Sequence, residues 1–264
     1  MKRQIWLALL SATLLWLAWP PFSFTSPILL ISFLPLLIAV DEIEKSELKK
    51  KGEKIFLLSG LTFLVWNTAS IYWVFNSLNA VMDTFTASLL SLIPFGLGAL
   101  LMTLSFWLYQ KIARKTKSYL ADLSLISFWI SYEFLHQWWD LKFPWMTLGN
   151  GFASTPQLIQ WYEFTGVYGG SLWILVANLL LFRLYLEWKG GKLKVKSLKF
   201  KVAALVAWII IPISLSVFMY ITYEEDINPS NVVVVQPNID PYGKNFTVSA
   251  SQQLEKLISL SKQQ

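Results

Sequence analysis

Residues 129–149 read WISYEFLHQWWDLKFPWMTLG, and this stretch decides what kind of molecule the chain is. It closes an apolar run, residues 119–135, sets a carboxylate and an imidazole at the end of that run, and opens a loop crowded with tryptophan. Ionisable groups at the end of an apolar helix, followed by rings that are apolar on one face and polar at the edge, mark a segment leaving a lipid bilayer. The composition agrees. Apolar residues make up 55% of the chain and charged residues 14%, against about 25% charged in a typical soluble domain. The aromatic load of 14 Trp, 10 Tyr and 18 Phe suits rings that line membrane interfaces.

Working outward, seven apolar stretches can be marked: 5–19, 28–40, 55–75, 85–109, 119–135, 168–186 and 202–223. The first two belong to a run, 4–40, without formal charge, which is too long for one span of about 20 residues. Pro20, Pro21 and Pro27 divide it. A cleaved signal peptide is the competing reading of the start, but WLAWPPFSF offers no small-x-small cleavage site and a second apolar run follows at once. All but four of the 22 Lys and Arg fall at 2–3, 41–54, 111–117 and 183–201, on alternate loops. The positive-inside rule then makes the N-terminus cytoplasmic and, after seven crossings, the 224–264 tail external. If the first two helices form a re-entrant hairpin, the parity is unchanged. The basic charge therefore sets topology, and nucleic acid is not the expected partner.

Several polar groups lie within the apolar stretches. Asn67 and Asn178 are expected to make interhelical hydrogen bonds. Pro94, Gly96 and Gly98 are expected to permit a bend or a close helix contact. Glu133 and His136, three residues apart, share a helix face with Trp129. They could do acid–base work, hold a lipid headgroup or simply cap the span. The following loop, 136–168, carries Trp138, Trp139, Phe143 and Trp145, which read either as interfacial anchors or as a lipid-handling surface. The chain has no cysteine, so disulfides, thiolate metal sites and thiol nucleophiles are excluded. No metal-ligand spacing, phosphate loop or nucleotide motif is present, and no cofactor is expected.

The tail has a different pattern. Four β-branched residues at 232–235 suit a strand, PNIDPYGK suits a turn, and Leu254, Leu257 and Ile258 recur at helical spacing. This is the first β-α unit of a mixed domain. A lone strand and helix cannot bury their faces or pair their edges, so the sequence is expected to continue in a longer product.

Taken together, EFLHQWWDLKFPWMTLGNGFASTPQLIQWYEFTGVYGGSLWILVAN (133–178) resembles the membrane domain of bacterial apolipoprotein N-acyltransferases. Phe143, Pro144, Trp145, Leu148 and Gly149 match the family's FPW-x-x-(L/F)-G stretch, and Gly166 to Gly169 match its GVYG. WNTASIYWVFNSL resembles the family's third helix and WPPFSFTSPILLISFLPLL its first hairpin. VVVVQPNIDPYGK, with Gln236, Asn238 and Ile239, resembles the first strand of its nitrilase-like domain. The resemblance implies an α-helical polytopic membrane protein with seven transmembrane helices (1–223), followed at 224–264 by the start of an external α-β-β-α nitrilase-like domain. It also implies an inner-membrane acyltransferase that moves an acyl chain from a phospholipid, through a cysteine thioester, to the N-terminal S-diacylglyceryl-cysteine of an apolipoprotein. The family's catalytic Glu, Lys and Cys match nothing here, and Lys244, Glu255 and Lys256 fit no catalytic motif. The residues expected to line a substrate entrance are Glu133, His136, Trp138, Trp139, Phe143 and Trp145. A non-catalytic platform docking a separate hydrolase subunit and a small-solute transporter are the competing readings. The transporter would want charged groups deep in the spans, where few occur.

Overall fold

A computed structural model describes residues 1–22, 24–191, 195–225, 233–239 and 248–262. Every apolar stretch marked above falls largely in helix. In chain order these are α1 (Lys2–Leu17), a 3-10 turn (Ser26–Leu30) leading into α2 (Leu34–Lys45), α3 (Lys51–Ser70), α4 (Trp73–Asn79), α5 (Thr84–Ala113) and α6 (Ser118–Leu135). Three short 3-10 turns, Pro144–Met146, Leu148–Phe152 and Pro156–Leu158, precede α7 (Tyr162–Lys189), α8 (Val195–Thr222) and α9 (Ala250–Ser261).

Local chemistry explains the boundaries. The Asp83 carboxylate accepts from Thr86 N–H at 3.0 Å and starts α5 as an N-cap. Gly166 sits at φ 63°, ψ −172°, a conformation open essentially to glycine alone, so it breaks α7 within its second turn. The long helix expected from 168 follows this break, with a short helical turn from Tyr162 before it. Ser249 and Gln252 form a reciprocal capping box at the start of α9.

Among the described residues, four helical segments are long and apolar enough to cross a membrane: Ser26–Lys45, Thr84–Ala113, Tyr162–Lys189 and Leu198–Thr222. A fifth is reached if α3 and α4, bent by 55°, form one broken span. The expected count of seven spans is thus not reached by length and apolarity. At 16 residues, α1 extends only about 24 Å against a hydrocarbon core of about 30 Å. The 18 residues of α6 include Asp122 and Glu133. The strand expected at 232–235 is also absent: residues 233–239 are irregular, and no strand occurs among the described residues. Val232 lies outside them. A strand needs a neighbour to pair with, and the described residues supply none.

The core is aromatic. Phe33, Phe63, Phe106 and Trp129, contributed by four different segments, are fully buried against one another, with Phe33 edge-on to Trp129 at 5.1 Å. Asn178 ties α7 to the break before α2. Its Oδ1 accepts from Phe33 N–H at 2.8 Å, and its Nδ2 donates to Leu29 O at 2.8 Å and Ile174 O at 2.9 Å. Asn67 in α3 donates to Phe63 O at 2.8 Å and Met102 Sδ at 3.3 Å, with Gly98 of α5 packed closely against its amide oxygen. The Lys/Arg-rich end of the bundle is tied by ions. Arg114 forks onto Glu44 at 2.7–3.0 Å, and Arg183 joins Asp122 and Ser118 O.

Replacing Asn178 by Leu keeps the volume but orphans Phe33 N–H in the buried interior, whereas Leu29 O keeps the Ser32 hydroxyl at 3.0 Å. One unsatisfied backbone group should cost about 1–3 kcal/mol. Unfolding of the detergent-solubilised protein, followed by denaturant titration, should show that loss.

Candidate functional site

At the end of the bundle opposite the Lys/Arg-rich one, the chain between α6 and α7 folds back over the helices as a run of short turns. Glu133, in the last turn of α6, holds this run from beneath. It is 2% exposed, and its Oε1 accepts from Trp129 Nε1 at 2.8 Å and from Leu148 N–H at 2.7 Å. Its Oε2 lacks a donor at hydrogen-bonding geometry. The Ser171 hydroxyl lies close to the carboxyl, and its oxygen accepts from Gly149 N–H at 3.0 Å. Tyr162 O–H donates to Gly149 O at 3.1 Å. A Cβ at Gly149 would fall 2.1 Å from Val167 O, so only glycine lets the turn pack on α7.

His136 follows directly as the C-cap of α6. Its Nδ1 accepts from Trp139 Nε1 at 2.7 Å, which places the imidazole proton on Nε2. Burial holds its pKa below the ordinary histidine value. No hydrogen bond joins Glu133 to His136 among the described residues. The two share a face, as their spacing requires, but each is committed to another partner, so the pair is not an acid–base couple. Both line a water-sized space of about 10 Å³ with Asn67, Tyr132, Phe143 and Thr147. Asn67 Oδ1 and the Tyr132 hydroxyl, like Glu133 Oε2, have no protein partner there.

The aromatic candidates separate into two groups. Phe143 stacks on Trp73 with centroids 6.4 Å apart, and Trp145 meets the same ring edge-on at 5.7 Å. Trp145 is 60% exposed and borders an open cleft of about 790 Å³ with Trp19, Pro20, Pro21, Ser70, Trp73 and Asn150. Trp139 instead stands beside His136 on the α5–α6 flank, in a hollow of about 340 Å³ shared with Leu101 and Leu135. Trp138 is 74% exposed, leans on Phe134 and borders neither space. The structure thus brings Glu133, His136 and Phe143 to one buried space and Trp145 to a cleft beyond it. Trp19, Ser70 and Trp73, which the cleft depends on, went unselected in the sequence. The signal available was the tryptophan of SIYWVF at the α3–α4 bend.

The model of the apolipoprotein N-acyltransferase N-terminal domain matches residues 11–180, which contain the end of α1, α2 to α6, the folded-back turns and most of α7. The chain belongs to this family. Two curated relatives carry the name apolipoprotein N-acyltransferase. That of Chlorobaculum tepidum is 26% identical over 269 residues, covering 100% of this chain and 46% of the relative. That of Geobacter metallireducens is 28% identical over 253 residues, covering 90% of this chain and 44% of the relative. The chain spans less than half the length of these relatives. Within the family-matched region lie all six candidate residues and the three members of the cleft that sequence reading passed over.

As the only histidine of the chain, His136 can be followed by NMR without assignment. Its neutral form should persist below the ordinary pKa of about 6.5. Trp139→Phe removes a donor that favours the neutral ring, so the pKa should rise. Because the folded-state pKa is depressed, the stability from this contact is complete at neutral pH and falls as pH drops below about 6.5. An unchanged titration in Trp139→Phe would discount the hydrogen bond.

Proposed function

We propose that this chain is the membrane portion of an apolipoprotein N-acyltransferase, a multi-pass protein of the bacterial inner membrane. The reaction moves an acyl chain from a membrane phospholipid to the α-amino group of the N-terminal S-diacylglyceryl-cysteine of an apolipoprotein, completing lipoprotein maturation. It needs a thiol nucleophile, a carboxylate base and a lysine that stabilises the oxyanion. With no cysteine, these 264 residues do not supply the thiol, so in this reading the nucleophile lies outside them. In this reading the bundle crosses seven times from a cytoplasmic N-terminus, and the segment after α8 begins an external nitrilase-like domain. Residues 233–239 become a strand once other strands of that domain pair with them.

The observation that carries this reading is the cleft between Trp19, Trp73 and Trp145, in a chain of this family. Its walls are rings, its volume suits an acyl chain, and it opens at the end of the bundle where such a domain would stand. Trp145 would meet the lipid directly, and Phe143 would back the Trp73 ring that it stacks on. Glu133 acts from below, by fixing Leu148 and with it the register of the FPW turn. His136 and Trp139 form the opposite flank, and Trp138 is an interfacial anchor.

In the complete enzyme, Trp145→Ala and Trp73→Ala should each lower kcat/KM for acyl transfer to a diacylglyceryl-cysteine peptide about ten-fold, the worth of one lost aromatic contact. The melting temperature should barely move, and Trp138→Ala should behave as wild type. Equal kinetics for all three variants would remove the cleft from the reaction.

A further inference from the structure

On the far side of Phe143 from the cleft, α5 and α6 leave a second concavity. Ile93, Leu97 and Leu101 lie four residues apart along α5 and form one apolar stripe about 12 Å long. Across from them stand Leu135 and Trp139. Two hollows, of about 300 Å³ and 340 Å³, lie along this seam and meet at His136, which borders both. The apolar walls are uncovered: Ile93 is 52% and Leu135 65% exposed. Trp139 is steadied by its bond to His136, so this wall is fixed.

The rim distinguishes the seam from plain lipid-facing surface. Asp140 and Lys142 both border the 300 Å³ hollow, both are exposed, and neither enters an ion pair among the described residues. Lys142 is also the only Lys or Arg between Lys117 and Arg183. A purely anionic headgroup would meet Lys142 but be repelled by Asp140. A headgroup with a phosphate and an ammonium satisfies both, while its acyl chain follows the Ile93–Leu97–Leu101 stripe.

We propose that the α5–α6 seam binds a zwitterionic glycerophospholipid, its phosphate on Lys142 and its ammonium on Asp140, at a site separate from the Trp19–Trp145 cleft. The site does not depend on the acyl-transfer reading, because its rim, walls and occupant are defined by charge and shape alone.

The test is native mass spectrometry of the protein extracted from its own membranes in mild detergent. The probe is an equimolar mixture of phosphatidylethanolamine and phosphatidylglycerol with identical acyl chains. Wild-type protein should retain phosphatidylethanolamine in preference. Lys142→Ala should cut its occupancy about five-fold, the worth of one lysine near a headgroup. Asp140→Asn should shift the preference toward phosphatidylglycerol. Leu97→Trp, which fills the seam, should lose the retained lipid, whereas Ile211→Trp on the exposed face of α8 should keep it. If Leu97→Trp does not fold, the two exposed rim variants still decide the matter. Equal retention by wild type and both rim variants would mean annular lipid only, and preference for phosphatidylglycerol in wild type would overturn the zwitterionic assignment. No acyl transfer is measured, so failure here leaves the functional reading untouched.

Discussion

Irregular backbone at membrane depth survives only where protein side chains complete its hydrogen bonds, since lipid offers none. Two breaks in this bundle meet that demand. The uncapped turn before α2 is closed by Asn178, whose amide reaches Leu29 O and Phe33 N–H across from α7. The turns between α6 and α7 are closed by Glu133, Ser171 and Tyr162, which take Leu148 N–H, Gly149 N–H and Gly149 O. The two clasps converge on the same core: Phe33, whose N–H is held by Asn178, packs edge-on against Trp129, whose indole N–H is held by Glu133. The aromatic centre is therefore placed by polar contacts at its edge, and both clefts are built on it.

Much of the helical framework was legible because its signal is local. Apolar runs and Pro20–Pro21 are visible within a few residues. The interhelical role of Asn178 was also legible in kind, since an amide in an apolar run has few other uses. Its partners were not, because Leu29 and Phe33 lie almost 150 residues away in sequence. Glu133 shows the same division. Its bond to Trp129 follows from i, i+4 spacing, but its bond to Leu148 depends on how a loop folds back. The strand at 232–235 fails for a related reason: β-branched residues favour extended backbone, yet the pairing that makes a strand lies in another strand.

The aromatic residues of 136–168 could not be sorted by sequence either. Phe152 is fully buried and Trp161 nearly so, while Trp138, Trp145 and Phe164 stand largely exposed. Identical ring chemistry serves core, cleft and rim, and only the fold separates them. Trp73 illustrates this best. At the α3–α4 bend, its ring receives Phe143 and Trp145 from a loop some 70 residues away.

The two ends of the bundle are held by different forces, and the difference fits the proposed handling of lipid at one end. At the Lys/Arg-rich end, ion pairs from Glu42, Glu44 and Asp122 join helices through partly exposed side chains. Such pairs contribute about 0–1 kcal/mol each, so their value lies in fixing helix register. At the other end, nearly every fixed contact is a neutral or carboxylate hydrogen bond buried beneath the surface, and the surface itself is left as rings. Ion pairs there would present charge to an entering acyl chain, which could desolvate them only at high cost. Placing the polar clasps underneath lets the turns stay ordered while the rings above remain free for apolar contact. Asp140 and Lys142 stand at the rim of the second seam, where a headgroup rather than a hydrocarbon tail would lie.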